Sequence, residues 1–511
     1  MIRLALIVFL LLLPRPAPAQ DAGAVAAASS ITEGDVLEGV EVIAHDSMAG
    51  RDTPSPGLDM TAGWVAEQFR RLGLEPGGDE GTFLQHYVIQ HVVPDYRRSA
   101  VTVSGDVTLS FPEDLMVAFG TPQGREISGG VAVFAGGTPP DEIPGEIVRG
   151  RHLVVVPPEV ATEEGGRRQM RLLRGLMDVR PASILMVSRE DDREWDRALE
   201  ARTARPSTRT PWQEEGGGYP PILAIREASL TRVLQAHDFS LPPLPDDPGA
   251  PGTFREVPGL DLTLRPESRV VDEFRAPNAV GILSGSHPRL RNEYLVYSAH
   301  MDHVGTGRPD EAGDSIYNGA DDNASGTVAM VELAEAFAML DPAPRRSVIF
   351  LAVSGEERGL WGSEYFAANP PVPLEGIVAN LNADMIARNW SDSIVVIGQE
   401  HSSLGETLHR VAANHPELDM APMRDIWPEE RFFFRSDHVN FARRGVPALF
   451  FFNGPHDDYH RPTDEVGRID AEKAARIVRL MFFLGLEVAN DAERPEWNPE
   501  SYAEIVTASG G

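Results

Sequence analysis

Residues 295–303 read Leu-Val-Tyr-Ser-Ala-His-Met-Asp-His, an apolar run that stops on an imidazole and a carboxylate. The run Leu295–Ser298 does not alternate with polar residues, so it predicts a strand covered on both faces. The same texture returns at Val348–Val353, Ile377–Leu381 and Val446–Phe452, with a helix from about Thr327 to Leu340 after the first run. Strand and helix in alternation predict an α/β fold: a mostly parallel central sheet with helices on both faces. Such open sheets bind ligands beyond the carboxyl ends of their strands. That rule picks out His300 and Asp302 after the first run, Asp321 and Asp322 in the loop opening the helix, Glu356 and Glu357 after the second run, Asp384 after the third and His460 after the last.

Each of these has an ordinary reading on its own. A lone His-x-Asp is commonly a hydrogen-bonded surface pair, adjacent glutamates commonly sit solvated at a helix end, and Asp384 or Asp321-Asp322 are good helix caps. Together, two imidazoles and three or more carboxylates at one sheet edge, with no sulfur, describe a hard-to-borderline metal site.

Working outward, a chain of 511 residues exceeds one ordinary core and predicts two domains. Asp35–Leu74 has helical apolar spacing broken at Gly50–Gly57, with an amphipathic helix over Ala62–Leu72. From Val101 to Leu264 the texture changes to short β-branched strands, such as 130–134 and 153–156, among Gly, Pro and charged loops. Within that stretch Arg202–Gly218 reads as a mobile loop. Ala474–Ala489, interrupted by Arg476, Arg479 and Glu487, reads as a packed helix rather than a membrane span. At the N-terminus, Arg3, the apolar run Leu4–Leu13 and the small-x-small triplet Ala17-Pro18-Ala19 predict a secretory signal peptide. The expected organisation is a signal peptide at 1–19, a first catalytic-domain part at 20–100, an inserted strand-rich domain at 101–264, the main part at 265–495 and a tail at 496–511. The expected location is secreted or periplasmic.

The formal net charge of −31 disfavours nucleic acid and anionic lipid surfaces as partners. Oligomeric state has no signature. The absence of cysteine removes disulfides, thiolate metal sites and cysteine nucleophiles.

Five strings carry a resemblance: 298–303 (SAHMDH), 318–326 (NGADDNASG), 354–363 (SGEERGLWGS), 382–385 (NADM) and 459–460 (YH). In this order they resemble the two-zinc aminopeptidases related to glutamate carboxypeptidase. The likeness covers most of 31–93 and 276–490, and 101–264 looks like the protease-associated domain that some members carry as an insertion. Position by position, the resemblance implies that Asp322 bridges two metal ions, that His300 and Asp384 complete one, and that Glu357 and His460 complete the other. Glu356 is then left free as general base. Asp302 either fixes the His300 tautomer or aligns Asp322. Tyr459 is the candidate to hold a developing oxyanion.

The implied activity is zinc-dependent removal of N-terminal residues from peptide substrates, with two Zn2+, or Co2+ or Mn2+ in their place. A carboxypeptidase needs a basic pocket, for which Arg358, Arg388 and Arg435 are the nearby candidates. A glutaminyl cyclase-like acyltransferase with one zinc and an inactive binding module are the readings from other classes. Phe432-Phe433-Phe434 before Ser436-Asp437-His438 fits either an apolar pocket or core. His303, His401 and His456 have no spacing that assigns them a role.

Overall fold

The computed structural model describes residues 19–121, 124–136, 143–157, 171–173, 175–176, 179–214, 220–245, 247 and 250–507. The signal-peptide expectation therefore lies almost wholly outside the described residues. The chain divides into two compact units, one running up to Tyr87 and from Arg275 onward, the other spanning Val88–Phe274.

In the first unit the helices Glu33–Ile43 and Pro56–Arg71 begin on side-chain caps, Thr32 accepting from the Asp35 amide and Ser55 from the Leu58 amide. The strands of the larger sheet, of which β1 from Val88 and β2 up to Phe274 are counted in the second unit, are β1 (Leu84–Pro94), β2 (Ser268–Leu283), β3 (Tyr294–His300), β4 (Ser347–Val353), β5 (Ile377–Ala383), β6 (Ser393–Ile397), β7 (Ala421–Met423) and β8 (Ala448–Phe452). Their order is β7-β6-β8-β5-β3-β4-β2-β1. The central four, β8, β5, β3 and β4, are parallel, while β2 on β4 and β6 on β8 are antiparallel. Every residue of β4 and β5 is buried, as a sheet covered on both faces requires.

One face carries Val296, Ile349, Leu351 and Val353 against Phe366 of the helix Trp361–Ala368 and Phe441 of the helix His438–Ala442. On the other, Tyr297 lies 5.7 Å from Phe337 of the helix Gly326–Ala338, and its hydroxyl donates to the Met481 carbonyl of the helix Ala471–Asn490 at 2.8 Å. That last helix is the packed helix expected over Ala474–Ala489, and among the described residues no helix is long and apolar enough to cross a membrane. The parallel register aligns His300 with Val353 and Ala383 with Phe451. The ends of four strands, and the residues just past them, therefore share one edge.

The second unit holds a seven-stranded mixed sheet in the order 100–103, 253–265, 127–135, 152–156, 183–188, 222–226, 115–119. Its four strands from 127–135 to 222–226 are parallel, with Val133, Val154, Leu185 and Leu223 in one buried cluster. The loop expected at 202–218 is corrected over 202–214, while 215–218 lie outside the described residues. Arg202–Ala204 close the helix Asp192–Ala204, which a full capping box at Asp191 and Glu194 starts, and Ser207–Arg209 form a strand. Polar, Pro-rich composition concealed a helix end whose only buried side chain is Trp195.

Candidate metal centre

His300 ends β3 with its carbonyl accepting from Thr327 Oγ1 at 2.7 Å. Its Nδ1 faces the backbone carbonyl of Asp302 at 3.1 Å, which places the proton on that nitrogen and leaves the lone pair of Nε2 free to bind a metal. Nε2 lies 3.3 Å from Asp384 Oδ1 and 3.5 Å from Asp322 Oδ1. The other oxygen of Asp322, Oδ2, lies 3.2 Å from His460 Nε2, which is in turn 3.1 Å from Glu357 Oε2. The five expected ligands thus converge in two groups that share Asp322, one oxygen toward each. Glu356, His300 and Asp384 bring one side-chain N or O atom each within 4.8 Å of the others.

Supporting contacts fix these side chains. Asp322 sits in the turn Ala320–Ser325, where the Asp321 and Asp322 amides donate to the Asp464 carboxylate at 3.0–3.2 Å. Asp384 Oδ2 accepts from Ser436 Oγ at 2.9 Å, and Ser436 accepts from Asn382 Nδ2 at 3.0 Å. Asp302 lies against the His300 ring, its carbonyl 3.1 Å and its carboxylate 3.8 Å from Nδ1. The carboxylate itself accepts from the Glu356 amide at 3.2 Å and from Thr53 Oγ1 at 3.1 Å. It holds the Glu356-Glu357 loop. The Tyr459 ring stacks on His460 at 4.0 Å.

His303 is the residue that spacing did not single out. Its Nδ1 is 3.0 Å from Glu357 Oε1 and 3.6 Å from Asp322 Oδ2, and it is wholly buried. His456 approaches Asp321 at 3.3 Å. His401 belongs elsewhere, beside Ser501 and Phe433. Phe432 and Phe433 are core, packed with Val395, Phe450 and Phe452.

The electrostatics call for cations. Burial opposes charge on His300, yet Asp384, Glu356 and Asp322 hold its pKa well above the usual imidazole range. His460, likewise opposed by burial, is raised to about 10 by Asp322 and Glu357. Burial first, then Glu357, Asp437 and Asp384, push Glu356 well above the carboxylate range, with His300 opposing. Burial pushes Asp302 up to about 6 and Asp437 up to about 7. Several buried carboxylates compete for few positive partners, a setting that divalent ions relieve. The donor set itself fits metal. Asp322 Oδ2, Glu357 Oε1, His460 Nε2 and both His303 nitrogens are buried and complete no hydrogen bond among the described residues, an expensive arrangement unless a ligand meets them.

Gly319 makes a wall of this site. Its φ is +58°, and a Cβ there would stand 2.1 Å from the Asp322 carbonyl oxygen and 2.6 Å from the His303 ring. Gly319→Ala is expected to destabilise the protein by about 1–3 kcal/mol through strain at this conformation and to weaken metal binding. Denaturant unfolding and a metal titration on the same variant check both.

Residues 278–484 match the model described as Peptidase family M28. A probable zinc metalloprotease of Leptosphaeria maculans is 28% identical over 252 residues, covering 42% of this chain and 57% of that protein. Aminopeptidase YwaD of Bacillus subtilis is 27% identical over 231 residues, covering 43% and 46%. The chain thus spans about half the length of the curated relatives it matches. Among solved structures, a zinc aminopeptidase from Bacillus subtilis aligns with a TM-score of 0.49 at 14% identity, covering 91% of this chain and 96% of that one.

Proposed function

The chain carries a peptidase family M28 segment, residues 278–484, and on that premise we propose that it is a secreted zinc aminopeptidase with two ions and Glu356 as general base. The observation that carries the reading is the divided Asp322 carboxylate, with Oδ1 toward His300 and Oδ2 toward His460. His300 and Asp384 would hold one zinc, Glu357 and His460 the other, and Asp322 both. Zinc supplies Lewis acidity toward a peptide carbonyl and lowers the pKa of a water to about 7. Glu356, placed by its amide bond to Asp302, takes the proton from the attacking water and returns it to the leaving amine. Tyr459, ordered by its stacking on His460, donates its hydroxyl to the developing oxyanion. Residues 101–264, which fall within the unit Val88–Phe274, are the protease-associated-like insertion of this reading.

Amino-end recognition is favoured over carboxyl-end recognition by the fate of the three arginines. Arg358 pairs with Asp52, Arg388 with Asp458 at 2.8 Å and Arg435 with Glu430 at 3.4 Å. All three cations are engaged by acids of the chain itself. The carboxylate-rich centre suits a substrate ammonium instead. Zinc-loaded protein is expected to hydrolyse amino-acid p-nitroanilides and to release N-terminal residues from a peptide library read by mass spectrometry. N-acetylated peptides are expected to be inert, and C-terminal trimming of those blocked peptides overturns the aminopeptidase reading.

A further inference from the structure

Resting on the two-ion reading above, we propose that Lys473 is a positioning residue of the candidate centre: its ammonium holds the Arg388 carbonyl, Arg388 holds Asp458, and that link sets the turn carrying Tyr459 and His460. Lys473 is the only lysine among the 46 lysines and arginines of the chain. It is wholly buried, so its charge does not snorkel to solvent as long cations usually do. It stands in the first turn of the helix Ala471–Asn490, three residues after the cap Asp470, where the helix end already presents partial positive charge. Burial lowers its pKa to about 8, with Asp321, Asp470 and Asp392 pulling upward, so the ammonium is kept at neutral pH. A cation held in so unfavourable a place is explained by what it touches.

It touches the loop that follows Asp384. The ammonium donates to the Arg388 carbonyl. One residue earlier, the Ala387 amide donates to Asp321 Oδ1 at 2.7 Å, and the Ala387 carbonyl accepts from the Asp470 amide at 2.7 Å. The loop is therefore pinned between the turn of Asp322 and the start of the helix. From it Arg388 Nη2 reaches Asp458 Oδ2 at 2.8 Å, and Asp458 Oδ1 accepts from Thr463 Oγ1 at 2.7 Å. Asp458 and Thr463 bracket Tyr459 and His460. His460 has φ +54°, a left-handed conformation that a residue with a side chain holds only when its surroundings impose it. The pair with Arg388 applies that constraint from outside the turn.

A plain counter-charge for Asp321 is the competing use of Lys473, yet its hydrogen bond goes to the Arg388 carbonyl rather than to a carboxylate. Arginine, the ordinary cation of this chain, suits the place poorly, because a planar fork with five donors asks for more partners than one carbonyl provides. A compact ammonium on an unbranched stem fits it.

A lone lysine also supplies the probe. Protein grown with 13C-labelled lysine gives a single side-chain Cε signal, which needs no assignment. Asp458→Asn, made at the far end of the link, is expected to shift that signal through Arg388. In zinc-loaded protein, Lys473→Met and Arg388→Met are each expected to lower kcat by about 10-fold, the low end of what partners behind a metal ligand are worth, with KM close to wild type. The double variant is expected to stay near the same loss instead of falling about 100-fold, because both substitutions cut one link. A lysine that only stabilises its helix gives losses that multiply and a signal that does not move. Either result, in wild type shown to hold two zinc ions, overturns the Lys473 proposal and leaves the two-ion reading standing. If Lys473→Met does not fold, the Cε signal in Asp458→Asn decides by itself. Fewer than two zinc ions per wild-type chain overturns the two-ion reading, and the same signal then judges the link from Lys473 to Asp458 independently of the ions.

Discussion

Glu356→Gln is expected to lower kcat by about 10²–10⁴-fold, the usual worth of a positioned general base, while metal content and KM stay close to wild type. The substitution is clean for a structural reason. The Glu356 carboxyl group is buried and pushed well above the usual carboxylate range by that burial and then by Glu357, Asp437 and Asp384. The amide keeps the shape of the side chain it replaces. The loop geometry depends on the backbone, through the Glu356 amide and Asp302 Oδ1, and the substitution leaves that bond in place. The adjacent position provides the contrast. Glu357 is held below the ordinary carboxylate range, burial being outweighed by His303 and His460, as befits a residue that stays ionised to bind. Glu357→Gln is accordingly a metal-binding lesion and Glu356→Gln a turnover lesion. Steady-state kinetics with metal analysis on both variants separates them. Turnover of Glu356→Gln within a few-fold of wild type places the base elsewhere.

What was legible in the sequence follows from range. The apolar runs at 295–298, 348–353 and 377–381 are buried on both faces, so hydrophobic continuity alone locates the strands, and parallel register puts the residues after them at one edge. The five expected ligands come together for that reason. β6 and β7 escaped because their signal is weak: β7 has only three residues, and β6 has five in a segment with no helix leading into it. Asp464 and Ser436 act on the centre from far along the chain, through backbone amides of 321–322 and through Asp384. No local spacing marks such a partner. His303 sits in the motif itself, yet a second histidine after His-x-Asp has no periodic reason to point inward. Tertiary contact with Gly319 and Arg51 decides that.

Arg51 is the strongest case of a residue that only the fold reveals, and Arg51→Met is expected to destabilise the first unit by about 4 kcal/mol or more. Its guanidinium is wholly buried and donates to four carbonyls: Ile43 at 2.8 Å, Asn318 at 2.6 Å, Met301 at 3.0 Å and Gly319 at 3.0 Å. Two of the three segments it ties carry candidate ligands, His300 and His303 around Met301 and Asp322 after Gly319. Burial lowers its pKa to about 10 against the opposing pull of Asp322, Asp302, Asp464 and Glu357, so it stays charged at neutral pH. Methionine fills much of the volume but leaves the buried carbonyls of Ile43, Asn318 and Met301 unpaired, each worth about 1–3 kcal/mol, while Gly319 still accepts from the Ala324 amide at 3.2 Å. That sum is comparable with the whole stability of a typical domain. Arg51→Lys keeps the charge but supplies one ammonium in place of a planar fork, and is expected to fall between the two. Urea unfolding monitored by circular dichroism gives the order wild type, Arg51→Lys, Arg51→Met. Zinc affinity is expected to fall in the same order because the loops loosen together. Unfolding free energies that agree within about 1 kcal/mol would mean that the 318–319 and 301–303 loops are held by their own packing, and that the segment around Arg51 merely rests against them.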